Sequence, residues 1–269
     1  MTQLHALMYH DVFADADPAS SGFEGADADL YKLSVADFDA HLWALGAALG
    51  RPPSLAGEAS GDAHGWALTF DDGGCSAATL IAPRLSALGW RGHFFVTAGR
   101  VGTQGFVSPG QLRELTDAGH RVGSHSDSHP LRMAALSRDR LLEEWRSSVR
   151  RLSDWIGAPV DSASVPGGWY APVVAEAAAE CGIRHLFTSE PTSRPWTVGQ
   201  TTVYGRYSVQ RWTPAATASA LAGTGKGARR RQAALWAAKK LAKRVAGQGY
   251  VDLRARVTGL LAGRRRGQD

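Results

Sequence analysis

Apolar and polar positions alternate along the chain between two spacings. Gln3–Tyr9 is a short, mainly apolar run that reads as a strand, and an acidic Gly/Ser/Pro-containing loop, Asp11 to Asp29, follows it. Ser34 then caps a predicted helix, with Asp37 three residues on in a capping-box-like start. Phe38, Leu42, Leu45 and Leu49 give that helix an apolar stripe. Arg51–Ala63, with Pro52 and Pro53, reads as a loop. From there strands and helices alternate. The predicted strands are Trp66–Phe70, Gly92–Thr97, His120–Ser124, Ala163–Val165, Ile183–Thr188 and Val203–Gln210. Between them fall helices over Cys75–Leu88, from Ser108 with Pro109 to Gly119, from Ser137 to Ile156, and over Pro172–Cys181.

Repeated strand-then-helix units imply an α/β fold, a parallel sheet with helices outside it. Strand count and size favour a barrel over an open sheet, although the pattern alone leaves both open. The expected division is a barrel over residues 1–212 and a basic helical C-terminal extension over 213–269. There Thr213 and Pro214 open a short helix, and Lys226 to Arg266 read as one or two basic amphipathic helices.

Composition changes this picture mainly at the C-terminus. The chain has 269 residues, 44% of them hydrophobic, enough for one sizeable core. From Lys226 onward 13 Lys or Arg face only Asp252 and Asp269, a net +11, so a whole-chain charge of +5 leaves −6 for residues 1–225. A basic tail on a mildly acidic body suggests an anionic partner for the tail. Cys75 and Cys181 form no metal-type or redox-type pair and read as reduced thiols. Met1–His10 lacks the features of a signal peptide, and no run is long and apolar enough to span a membrane. The expected location is cytoplasmic, peripheral at the inner face of the membrane.

Three segments at predicted strand ends carry candidate chemistry. Thr69-Phe70-Asp71-Asp72-Gly73 puts two carboxylates where a strand meets a Gly turn, the end at which parallel sheets bind ligands. Alone, such a pair often only starts a turn. His125-Ser126-Asp127-Ser128-His129 follows another strand, and a turned segment brings two imidazoles four residues apart onto one cation. Two His and one carboxylate are a usual set for catalytic zinc, with a position left open for water. Ser164-Val165-Pro166-Gly167-Gly168-Trp169-Tyr170 offers glycines whose backbone can approach a ligand, though an ordinary βα turn looks the same.

Together these segments resemble the polysaccharide deacetylase family, the NodB-homology or carbohydrate esterase family 4 group. The family's T-F-D-D-G motif matches Thr69–Gly73 and its H-[ST]-x-x-H motif matches His125–His129. The strand containing Phe94-Phe95-Val96 and the Gly123-Ser124 lead-in are also similar, and the resemblance covers roughly residues 3–210. It implies a distorted (β/α) barrel of about seven strands. It implies that Asp72, His125 and His129 bind one divalent metal ion, usually zinc, and that Asp71 is the base that deprotonates a metal-activated water. Backbone near Gly167 and Gly168 would stabilise the oxyanion, with Trp169 or Tyr170 against the sugar. Removal of an N-acetyl group from a sugar in a glycan or glycolipid precursor is the implied reaction.

The chain departs from the family pattern twice. Ser164 stands where the third motif usually has an arginine that pairs with the base, and Arg206 is the candidate substitute. No histidine follows His185, so the usual C-terminal acid motif is absent. His10, in Leu7-Met8-Tyr9-His10-Asp11, is the candidate acid, because this start resembles the branch that deacetylates biofilm poly-N-acetylglucosamine. Competing readings are a deformylase or other amidase on a lipid-linked aminosugar, and a noncatalytic carbohydrate- or anion-binding barrel. Arg229–Arg231, Lys239-Lys240, Lys243-Arg244 and Arg264–Arg266, interleaved with Leu235, Trp236, Leu241 and Leu260, suit an anionic membrane surface better than nucleic acid. A solvated helix packed on the barrel is the plainer alternative.

Overall fold

The computed structural model describes residues 2–14, 17–58, 64–238 and 240. Strand β1 (Gln3–Tyr9) opens the chain, and two short strands, β2 (Val12–Phe13) and β3 (Leu33–Ser34), pair with each other apart from the main sheet. The single turn α1 (Ala26–Asp29) lies between those two. Helix α2 (Val35–Leu49) starts as its sequence requires: the Ser34 hydroxyl accepts from the Asp37 N–H, and Gly50 ends it in a left-handed conformation.

The strand–helix alternation then appears as β4 (His64–Phe70), α3 (Ala82–Ala87), β5 (His93–Val96), α4 (Pro109–Asp117), β6 (Arg121–Ser124), α5 (Arg138–Ile156), β7 (Ser162–Ser164), α6 (Pro172–Glu180) and β8 (His185–Phe187). Strands β9 (Trp196–Val198), β10 (Thr201–Tyr204) and β11 (Arg206–Ser208), then α7 (Ala215–Ala222), complete the described elements. Residues 226–238 are helical as well. The predicted helix over Cys75–Leu88 is not regular. Residues Ala77–Ile81 form a π-helical turn in which the Ala82 N–H reaches back to Ala77 O. Pro83 follows at once, and a widened turn is one way a helix accommodates a residue that cannot donate.

The nine-stranded sheet has the order β11-β1-β4-β5-β6-β7-β8-β10-β9, and every pair is parallel except β9–β10. It is strongly curled. Phe95 on β5 and Phe187 on β8 stand three strands apart, about 14 Å in a flat sheet, yet their rings are 5.2 Å apart. The Arg206 guanidinium of β11, three strands away on the other side, lies 5.7 Å from the Phe95 ring. Residues 201–208 join the two ends of the order. Their first half pairs with β8 and their second with β1, with Gly205 between. Any Cβ at Gly205 would come within 2.3 Å of Glu190 O, so the bend needs glycine. The described ladders do not themselves close a ring.

Alternation along the strands separates two cores. Leu7, Leu68, Phe70 and Phe94 face the helices, whereas Ala6, Ala67, Phe95, Phe187 and Tyr204 meet inside the curl. Ala6, Ala67 and Arg206 are in register across β11, β1 and β4, so two small residues leave room for one large cation. The helix from residue 226 is tied to this layer. The Gln232 side chain donates to Ser208 O (2.8 Å) and accepts from Ser208 N–H (3.1 Å), pairing the β11 backbone as a strand would. The start of the tail therefore packs on the body. Lys239, Leu241, Lys243, Arg244, Leu260 and Arg264–Arg266 lie outside the described residues. Among the described residues no helix is long and apolar enough to cross a membrane.

Several histidines are structural, as their strand positions suggest. His93 and His120 each accept a backbone N–H through a ring nitrogen, from Ala56 (3.0 Å) and Gly92 (3.2 Å). Burial lowers the pKa of both, His93 well below the usual range and His120 to about 4. The unfolded chain thus binds more protons than the fold below about pH 6.5, and stability falls as pH drops through that value toward about 4. Buried Asp11 works oppositely. Desolvation raises its carboxyl to about 6, so its share of stability grows as pH falls from about 6. The histidines outnumber it, since burial also lowers His5, His41 and His185. Chelator-treated protein is expected to show a falling Tm from pH 7 to 5 in differential scanning calorimetry. His120→Asn should flatten that slope, and an unchanged slope would remove His120 from the account.

Candidate active site

Four strands deliver the site from their C-terminal ends. Beyond β4 stand Asp71 and Asp72, beyond β6 the loop His125–His129, at the end of β7 Ser164, and beyond β1 His10. Among the described non-glycine residues positive φ occurs only at Asp72 (76°), Ser126 (62°) and His129 (59°), all three in this site. Such backbone persists only where the surroundings hold it, and it gathers where geometry matters for function.

Asp72, His125 and His129 converge. Asp72 Oδ1 lies 3.4 Å from Nε2 of both His125 and His129. Ligands at zinc distances of 2.0–2.1 Å in a tetrahedron are themselves about 3.3–3.4 Å apart, so this donor set fits a cation at its centre. No other group of three His, Cys, Asp or Glu among the described residues has such spacing. Burial would raise the Asp72 carboxyl, but the two imidazoles bonding to it prevail and hold it well below its ordinary value.

Asp71 is built differently. Arg206 forks onto it, Nη1 to Oδ1 at 2.6 Å and Nη2 to Oδ2 at 2.8 Å. The guanidinium is fixed by Nε donating to Thr188 O (3.1 Å) and Nη1 to Thr69 Oγ1 (3.1 Å). Arg206 is 1% exposed and Asp71 4%, so this is a fully buried bidentate pair. Burial pushes the Asp71 carboxyl up, and Arg206 more than offsets it, leaving it below the usual carboxylate range. The residue paired with Asp71 is thus Arg206, 42 positions after Ser164 in sequence.

Ser164 is not idle at the position where an arginine was expected. Its hydroxyl lies 2.6 Å from His125 Nδ1 and 3.1 Å from Asp71 Oδ1. With His125 Nε2 ligating a cation in the cluster, Nδ1 would carry the ring proton and donate to Ser164, at Oγ or at the carbonyl 3.1 Å away. The Ser164 O–H is then left to donate to Asp71. One hydroxyl links the candidate ligand to the candidate base.

His10 comes to the same place. Its ring packs on Tyr31 (4.6 Å), its buried Nδ1 has no described partner, and Asp72, Asp71, His125 and Arg206 are the ionisable groups around it. Burial lowers its pKa, against the pull of the two aspartates. Gly167 is left-handed and packs on the backbone of Leu131, two residues past His129, where a Cβ would come within 2.3 Å of Leu131 O. That places the Pro166–Gly168 turn against the segment that follows His129. Trp169 stacks under the Arg132 guanidinium at 5.0 Å. Tyr170 packs on Trp196 and accepts its indole N–H (3.4 Å), so its hydroxyl is partly engaged.

Three contributors had no sequence signal strong enough to find them. Phe23, in the acidic loop, packs its ring 4.7 Å from His129 and is covered by Arg100. Tyr31 supports His10. Glu144, on α5 and 3% exposed, shapes the histidine loop. Its Oε2 accepts the Asp127 and Ser128 N–H groups (3.1 and 2.9 Å), and its Oε1 accepts the Ser128 hydroxyl at 2.6 Å. Removing that carboxylate strands two loop N–H groups at about 1–3 kcal/mol each. Glu144→Ala should therefore weaken zinc binding about 10–100-fold by calorimetric titration. Glu144→Gln, which still offers an oxygen to both amides, should recover most of it. Equal affinity in Glu144→Ala and wild type would show that the loop holds itself.

Known proteins bear on this geometry in two ways. The sequence model described as polysaccharide deacetylase matches residues 58–186. Solved structures share the fold. IcaB from Ammonifex degensii is 24% identical, with TM-score 0.63 over 78% of this chain and 92% of its own. The Streptococcus pyogenes deacetylase PplD, in complex with acetate, is 16% identical, with TM-score 0.63 over 80% and 95%. A polysaccharide deacetylase from Bacillus cereus, BC0361, is 19% identical, with TM-score 0.66 over 82% and 69%. None of the curated proteins matches the chain.

Proposed function

Since the chain belongs to the polysaccharide deacetylase family, we propose that it hydrolyses the N-acetyl amide of an amino sugar within a glycan or glycolipid precursor. The observation that carries this reading is the Asp72–His125–His129 cluster beside an ionised, arginine-paired Asp71. A divalent cation, zinc foremost, held by those three side chains would polarise the amide carbonyl and activate a water. Each remaining role falls to a group of this chain. Asp71, kept charged by Arg206, takes the water's proton. Ser164 keeps Asp71 and His125 in fixed relation. Backbone N–H at Gly167 and Gly168 takes the role of stabilising the developing oxyanion. His10 protonates the departing amine nitrogen.

The test is acetate release from N-acetylglucosamine oligomers by zinc-loaded protein. Turnover that a chelator abolishes and added zinc restores is expected. His10→Gln should keep its zinc and lose most of kcat. No release from any N-acetyl sugar, but formate from an N-formyl one, would move the assignment to the deformylase reading. Neither, from fully zinc-loaded protein, would favour a binding barrel.

A further inference from the structure

Lys32 is only 2% exposed, and every described bond of its ammonium stays within residues 17–32. Nζ donates to Pro18 O (2.7 Å) and Phe23 O (2.5 Å), and Asp29 Oδ1 lies 3.5 Å away. Methionine would fill similar space with no ammonium to desolvate, so volume alone does not call for lysine here. The charge draws the two sides of one loop together.

That loop reaches two histidines of the site. Phe23, whose carbonyl Lys32 holds, packs its ring 4.7 Å from His129. Tyr31, the residue before Lys32, packs its ring 4.6 Å from His10. One segment therefore touches a candidate ligand with one aromatic ring and the candidate acid with another. The loop is moored at both ends to Asp11, which follows His10 in sequence. The Ser21 hydroxyl donates to Asp11 Oδ1 (2.7 Å) and accepts the Ser76 N–H (2.9 Å), beyond the Asp71-Asp72 turn. Leu33 N–H donates to Asp11 O (3.1 Å).

We propose that Lys32 is a positioning residue whose ammonium locks this loop as a clamp, setting His129 through Phe23 and His10 through Tyr31. One element then holds a metal ligand and the proton donor, and loosening it disturbs both. The roles of the two histidines rest on the deacetylase reading, whereas the clamp is read without turnover. In the full-length protein, calorimetric titration with zinc follows His129. The His10 ring-proton lines in NMR, assigned by their loss in His10→Gln, follow its contact with Tyr31 through the ring-current shift. Phe23→Ala should weaken zinc binding about 10-fold and leave the His10 lines in place. Tyr31→Ala should move those lines and leave zinc affinity unchanged. Lys32→Met should do both, and should add nothing further in the Phe23→Ala, Tyr31→Ala background. In zinc-saturated Lys32→Met, kcat for acetate release should fall about 10-fold with KM nearly unchanged. A lower Tm with wild-type zinc affinity and His10 lines would make Lys32 an ordinary part of the core and overturn the clamp. A change in only one of the two readouts would overturn it as well. Should Lys32→Met fail to fold, Ser21→Ala decides, because it unmoors the same loop at Asp11. Movement of both readouts there upholds the clamp, and anything less overturns it. If no protein releases acetate, the deacetylase reading falls while zinc affinity and the His10 lines still decide the clamp.

Discussion

Purified wild-type protein is expected to hold close to one equivalent of zinc by plasma mass spectrometry, and the double variant His125→Ala, His129→Ala to hold none. Acetate release should fall with it by about 10⁴-fold or more, since both cation-activated water and carbonyl polarisation go together. Asp72→Asn tests the third ligand more gently. It keeps the shape of the side chain but replaces a carboxylate, held charged between two imidazoles, by a neutral amide. Zinc affinity should drop by orders of magnitude while the fold survives, because Asp72 has no buried cation that would be left alone. Circular dichroism of the variants separates a lost site from a lost fold. Full zinc content in the double variant would mean that the ion sits elsewhere and would end the mechanism proposed for this cluster.

How far the sequence anticipated this site depends on the range of the interactions. The strand ends were legible because each is punctuated by Gly or Pro just past the reactive residues: Gly73 after Asp71-Asp72, Pro130 after His129, Pro166 after Ser164. Short-range punctuation of this kind fixes a side chain to a strand end, and a parallel sheet brings those ends together. Arg206 was legible only as a cation near the last strand. Its pairing with Asp71 depends on the curl of the sheet and on Ala6 and Ala67 leaving a space, which no local pattern reports. Glu144 was hidden for the same reason. It lies within an ordinary amphipathic helix, and only the packing of α5 under the histidine loop turns it into a triple acceptor. The predicted single strand Val203–Gln210 is two strands bent at Gly205, and the antiparallel β9 went unforeseen because an edge strand of three residues carries no periodicity. The tail is split by the same logic. Gln232 and Arg229 anchor its first turns through backbone groups of β11 and of the end of α7, contacts that composition alone gives no hint of.

Arg206→Ala is expected to lower kcat about 10²–10³-fold while leaving zinc content full, because Arg206 touches Asp71 and not the three ligands. The physical cause is electrostatic. Asp71 is 4% exposed, and without the fork its only remaining side-chain donor is the Ser164 hydroxyl. Burial then acts against only His125, His10 and the Ser164 hydroxyl and raises the carboxyl's pKa, so the base spends more of its time protonated. Breaking a buried pair from one side also costs about 3–5 kcal/mol of stability, which a thermal melt reads separately from kcat. Arg206→Lys should recover only part of either loss, since a single ammonium cannot bond both carboxylate oxygens and Thr188 O at once. The decisive variant returns the charge from the other side. Ser164→Arg placed in the Arg206→Ala background puts a guanidinium where the family motif carries one, with the volume of the missing side chain free to receive it. Recovery of kcat by about 10-fold over Arg206→Ala, with zinc still bound, would establish that the site needs a cation on Asp71 and is indifferent to the strand that supplies it. No recovery, in a double variant that folds and holds zinc, would mean that Ser164 itself is required between Asp71 and His125, and that this chain has replaced one arginine by a hydroxyl and a distant arginine acting together.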